Sequence, residues 1–265
     1  HTREQFLFVQ AIDAFKRGVH VARVNDGLYS PQQLPLLEAE IRSHVAVGDF
    51  TSADERQNYL LRVQQRALTD RRLRGQALMR QAQWQRKAYE LDLGEQSYAR
   101  LLNMWNLYRG ALSEYAEEDQ KPGPELLPPL LGMLRAQYLI SGFEGSLGGD
   151  ERGPGSVLRD EQGQFLAYRS QSLREGKAVI RAIYEVQQAQ PGHTPQEAAE
   201  TVAMMGDWLL WHGKRNEAID AYKEALSVLA ELEDGELFAE ALFGQPEPLP
   251  LLPGVRALPR RVDEE

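Results

Sequence analysis

The sequence has 265 residues and no cysteine. That absence excludes disulfides, thiol catalysis and cysteine-ligated zinc. No apolar run approaches the ~20 residues needed to cross a bilayer, so no integral membrane segment is expected. Positive charge is in deficit: 30 Lys and Arg against 39 Asp and Glu leave a net charge of −9. An acidic chain is a poor nucleic-acid binder, because phosphate binding needs a basic surface. No HExxH, GxSxG, Walker A or GxGxxG motif occurs, and Gly148-Gly149 lacks both the preceding strand and the following Lys of a phosphate loop. The histidines His1, His20, His44, His193 and His212 show no metal-ligand spacing. No acid/base pair stands out from the many surface carboxylates. On these grounds no catalytic residue, metal or cofactor is expected, and the chain is not expected to be an enzyme.

What is present points to helices. The hydrophobic fraction is 42% and the charged fraction 26%, enough for a sizeable core in a soluble chain. Long runs rich in Ala, Leu, Gln, Glu and Arg repeat at helical spacing, and strand-like alternation is scarce. Residues 4–24 place Phe6, Val9, Phe15, Val19 and Ala22 on one stripe, and Asn25-Asp26-Gly27 breaks the chain. Helices are expected over 34–66, with Thr51 or Ser52 capping the second of the pair, and over 67–89 and 94–116. Pro122-Gly123-Pro124 is a stop, and Pro128-Pro129 suits only the first turn of a helix running to about Ile140. Residues 142–163 hold seven glycines and are expected to be an insertion between helices. Helix resumes over 165–190. Thr194 and Glu197 form a capping box for the next helix.

Residues Ala199–Leu232 read AETVAMMGDWLLWHGKRNEAIDAYKEALSVLAEL. This segment resembles one tetratricopeptide repeat (TPR), a helix–turn–helix unit of ~34 residues, through Met205-Gly206, Leu209, Gly213, Ala218, Tyr222 and Ala225. Gly206 permits close helix approach, Gly213 sits where the first helix must stop, and Ala218 and Ala225 are small where backbones cross. Gly48 and Ala53 repeat the spacing of Gly213 and Ala218, and Ala11, Phe15 and Gly18 that of Ala218, Tyr222 and Ala225. The resemblance implies an all-α fold: antiparallel helix pairs stacked as a right-handed superhelix (an α-solenoid), with degenerate central repeats. The helical domain is expected over 1–244 and a proline-rich tail or linker over 245–265. The helix at 4–24 looks like the second of a pair whose first lies upstream, so the sequence is expected to be part of a longer protein.

In this family the first helix of each unit lines a concave groove. Carried onto this chain, the groove-facing positions include Glu38 and Arg42 in the weaker repeat, and Asp207, Leu210 and Trp211 in the strong one. Arg42, Asp207, Leu210 and Trp211 are the candidate partner-binding residues. Asp207 with Trp211 could hold a cationic and an apolar side chain; the alternative is that Trp211 packs against the next helix. Lys and Asn of the family's carboxylate clamp are replaced by Ala203 and Asp207. Trp84, Trp105 and Trp208 are expected to anchor the core. The basic run Arg62–Lys87 is expected to be a solvated face pairing with neighbouring Glu residues rather than an anion site.

The implied function is a non-enzymatic scaffold or adaptor that binds a protein or peptide segment. A peptide-responsive sensor and a helical enzyme are the alternatives, and self-association as a homodimer stays open. Residues Leu242–Pro250 resemble the junction in bacterial cell-envelope proteins that combine helical repeats with a TonB-like C-terminal domain. That resemblance implies a periplasmic location, with a cytoplasmic one as the alternative.

Overall fold

The computed structural model describes residues 2–94, 97–116, 121–143, 157–244 and Arg260. Among these residues every regular element is helical: α1 (Thr2–Asp26), α2 (Gln33–Ala46), α3 (Phe50–Ala67), α4 (Arg71–Glu90), α5 (Ser97–Tyr115), α6 (Leu127–Ser141), α7 (Val157–Gln188), α8 (Pro195–Trp211), α9 (Arg215–Ala230) and α10 (Gly235–Ala239). A 3₁₀ turn precedes α6, and a π-helical turn at Glu240–Gly244 continues α10. The chain divides into two compact units, His1–Tyr115 and Ala116–Glu265. In the first, α1 to α5 each pack on the next helix; in the second, α6 to α10 do the same. The all-α expectation holds, with consecutive helices packed as adjacent pairs. No helix among the described residues is long and apolar enough to cross a membrane.

The two glycine-marked turns share one geometry. Gly48 and Gly213 both have positive φ, at +81° and +73°. Gly48 N–H donates to Val45 O and Asp49 N–H to His44 O; Gly213 N–H donates to Leu210 O and Lys214 N–H to Leu209 O. This is the Schellman arrangement, which satisfies the last carbonyls of a helix. In each pair a fully buried alanine, Ala53 or Ala218, follows in the first turn of the second helix. The equal spacing of Gly48–Ala53 and Gly213–Ala218 is thus accompanied by one turn geometry. The α4 helix ends the same way with Asp92 at φ 50° in place of glycine.

Helix starts mostly follow their capping signals. Thr194 and Glu197 bond reciprocally to each other's backbone N–H at the start of α8. The α3 cap is Asp49, whose Oδ1 accepts Ser52 N–H at 3.1 Å, rather than Thr51 or Ser52. A carboxylate is favoured there because it also meets the positive end of the helix. Pro128 and Pro129 lie in the first turn of α6, as expected. The α7 helix starts at Val157, inside the 142–163 stretch taken for an insertion; glycine at 163 does not stop a helix that its neighbours sustain. Residues 144–156 lie outside the described residues, and so does the tail 245–265 apart from Arg260.

In the first unit the core gathers Val19, Leu37, Ile41, Ala53, Leu60, Val63 and Trp84 from α1 to α4. Burying an aliphatic side chain such as Leu37 contributes about 2 kcal/mol. The α1 stripe is only half used. Ile12, Val19 and Ala22 are buried, whereas Phe6 and Val9 stay 60% and 51% exposed. Trp105, expected to anchor the core, is only half-buried; Leu101, Met104, Tyr108 and Ala111 form the inward face of α5. In the second unit Tyr222 and the small residues Ala199, Ala203, Ala218 and Ala225 form the seam between α8 and α9. Trp208, fully buried, lies against Gly176 of α7 and meets Tyr138 of α6 edge-on at 4.6 Å.

Candidate functional site

Arg42 lies at the mouth of a cavity of ≈ 250 Å³ where α2, α3 and α4 meet. Glu38, Ile41 and Arg42 come from α2, Gln57, Leu60 and Gln64 from α3, and Ala77, Arg80 and Gln81 from α4. Leu60 and Ala77 form an apolar floor. Arg42 and Arg80 are exposed at the rim, and neither has an ion-pair partner among the described residues. Gln64 and Gln81 are 4% and 3% exposed, and the Gln81 Nε2 is buried with no hydrogen-bond partner. A buried unpaired amide N–H costs about 1–3 kcal/mol. An acceptor atom entering the cavity would recover that.

The other three expected residues have partners inside the chain. Asp207 is 8% exposed. Its Oδ1 accepts the Tyr222 hydroxyl at 2.9 Å and Arg260 Nε at 2.9 Å, and its Oδ2 accepts Arg260 Nη2 at 2.6 Å. Arg260 Nη1 also donates to the Leu242 carbonyl, and its guanidinium lies 5.8 Å from the Phe243 ring centre. Burial alone would lower the pKa of Arg260. The hydrogen bonds and charge of Asp207 outweigh that and raise it. Burial, then the Asp207 carboxylate, pushes the Tyr138 and Tyr222 phenols well above their ordinary value. Trp211 donates from Nε1 to Ser141 Oγ at 2.9 Å and meets Tyr138 edge-on at 5.6 Å. It packs on the last turn of α6, where a Cβ at Gly142 would lie 3.0 Å from its ring. Leu210 is half-buried against the α8–α9 core.

A second open cavity, of ≈ 280 Å³, lies where α7, α8 and α9 meet. Ile180, Tyr184, Val202 and Met205 line it, and Arg181, Glu185 and Glu224 surround it. Spacing on α8 alone did not reveal it, because four of its nine lining residues come from α7.

The basic run is largely spoken for. Arg74 bonds Glu114 through both Nε and Nη2, at 3.0 and 2.8 Å, and Arg86 pairs with Glu90 at 2.7 Å. Arg66 lies over the Tyr29 ring at 4.0 Å, and Lys87 over Phe50 at 5.3 Å. His44 is buried between Glu40 and Asp49, with Nδ1 3.0 Å from Asp49 Oδ2; Glu40 also accepts Arg56 Nε at 2.6 Å. This cluster ties α2 to α3. Among the described residues no group of three or more His, Asp or Glu side chains is placed to hold a metal ion.

Sequence reasoning missed Arg80, Gln81 and Arg260. Arg80 was visible only as one member of a basic run. Arg260 pairs across 53 residues of sequence, and no local pattern announces such a contact. No protein-family model matches the sequence, and comparison with curated proteins finds no match.

Proposed function

We propose that the chain is a non-enzymatic adaptor of the TPR type that holds a peptide or protein segment against its helix seams. The observation that carries this is the α2–α4 cavity. It is open and has an apolar floor, two arginines without ion-pair partners among the described residues, and a buried amide that lacks an acceptor. An extended segment could seat an apolar side chain on Leu60 while its carbonyl or carboxylate oxygens meet Gln81, Arg42 and Arg80. The shared Schellman turns at Gly48 and Gly213 support the repeat reading, and with it the finer proposal that the pairs follow a right-handed superhelix. A periplasmic location is part of the proposal and rests on the resemblance of Leu242–Pro250; fractionation of the native cell would test it.

The direct test is selection of binding peptides from a random library on the immobilised protein. The affinity of the winners for Arg42→Glu/Arg80→Glu and for Gln81→Leu is then measured. At least a tenfold loss in both variants, with helicity unchanged, is expected. If no peptide binds saturably, or all bind the variants as well as the original, the adaptor reading at this cavity fails.

A further inference from the structure

The Asp207 cluster has the form of a ligand site with its ligand in place. Its walls belong to the packed core of the second unit: Asp207 from α8, Tyr222 from α9, and Leu242 with Phe243 from the π-helical turn. Its occupant, Arg260, reaches it from well beyond that turn in sequence. The fit is specific to a guanidinium. Two parallel N–H groups meet the two carboxylate oxygens at 2.9 and 2.6 Å, a third meets the Leu242 carbonyl, and the Phe243 ring lies beside the cation. A lysine ammonium could satisfy only part of this, because its donors do not form a planar fork.

One further observation points beyond a fixed strut. The Arg260 side chain is 19% exposed, so the site is not sealed from solvent.

We propose that the Asp207–Tyr222–Phe243 cluster is an arginine-reading site, occupied by the chain's own Arg260, that accepts the arginine side chain of an incoming peptide in its place. The order in this chain is Leu258-Pro259-Arg260, so an arginine that follows a proline is the ligand type. The site lies in the second compact unit and does not depend on what the α2–α4 cavity binds.

The test uses the full chain and two blocked tripeptides, acetyl-Leu-Pro-Arg-amide and acetyl-Leu-Pro-Lys-amide. Calorimetric titration of Arg260→Ala is expected to show saturable binding of the arginine peptide and at least tenfold weaker binding of the lysine peptide. Asp207→Asn in the same background should abolish it. Absence of saturable binding to Arg260→Ala, equal affinity for both peptides, or indifference to Asp207→Asn would each overturn the proposal. Should Arg260→Ala lose its helicity, the decision passes to the unaltered protein. There the Arg260 Nε–H resonance is followed by NMR as the arginine peptide is added. Saturable loss of that resonance, not reproduced by the lysine peptide, supports exchange at the site. A resonance that never moves means Arg260 is a permanent brace, and the idea is wrong.

Discussion

The Tyr222 ring rests directly on Gly206: a Cβ built at Gly206 would sit 2.3 Å from ring carbon Cε1. This contact sets how closely α8 and α9 approach, and it places the Tyr222 hydroxyl on Asp207. Gly206→Ala must push the ring or the helix away. Overpacking of this kind costs about 1–3 kcal/mol, read as a lower urea midpoint for the second unit. Gly176→Ala, which would crowd Trp208 at 2.2 Å, should behave alike, while Gly192→Ala meets nothing within 4 Å and should be near neutral. Equal effects from all three would refute the close seam.

Asp54 joins three helices in the first unit. It accepts Trp84 Nε1 at 2.7 Å and two Arg100 nitrogens at 3.1 and 2.8 Å, and Arg100 Nε donates to Leu93 O. Asp54 and Arg100 side chains are each 15% exposed. Removing the carboxylate strands a mostly buried guanidinium and an indole N–H, so Asp54→Ala is expected to cost about 3 kcal/mol. Arg100→Lys should keep the charge but not the paired hydrogen bonds, and cost only part of that. Thermal unfolding of the three proteins checks the order; an Arg100→Lys protein as stable as the original would contradict it.

The helical class and the helix caps were legible because each rests on residues within one or two turns of each other. Thr194 and Glu197 cap one helix end, and Gly213 closes another. What was not legible depends on distance in sequence. The repeat pattern named Arg42, Asp207 and Trp211 alike, but it could not tell that Asp207 and Trp211 have partners at Arg260 and Ser141. The short α3 cap was missed because Asp49 precedes two equally plausible hydroxyls. The start of α7 was missed because the glycine count of residues 142–163 outweighed the helical run after Val157.

Alkaline titration should separate two of the ten tyrosines. Tyr138 and Tyr222 have phenols held far above their ordinary value, first by burial and then by Asp207. A group whose folded pKa is raised stabilises the fold fully below its unfolded value, and the contribution is lost as pH rises beyond that. The unfolded chain ionises both phenols near pH ~10, so stability should fall from about that point upward. Tyr222→Phe should flatten that fall while weakening the protein near neutral pH through the lost Asp207 bond. Phenolate absorbance of the original protein should show these two groups ionising only together with loss of helicity. Their reversible titration in a fully helical protein would disprove the buried cluster.

On the acid side, two carboxyl groups of the first unit are lowered. Hydrogen bonds from Arg74 hold the Glu114 carboxyl below the usual range against a small opposing effect of burial. Asp49 is lowered first by its bonds from Ser52 and then, beyond what burial takes back, by His44. For a carboxylate with a depressed folded pKa, the stabilisation is complete above the unfolded value of about 4. It disappears as pH falls through the folded value. Glu114→Gln and Asp49→Asn should therefore lower Tm at neutral pH, and their deficits relative to the original should shrink as pH drops towards ~3. Both are well hydrated, so each deficit should be modest, with Asp49→Asn the milder because asparagine also caps helices. Added salt should reduce the Glu114 effect more than that of Asp49, since the first is an ion pair and the second chiefly a cap. Deficits that grew on acidification would mean these carboxylates are not held in their charged forms by the fold.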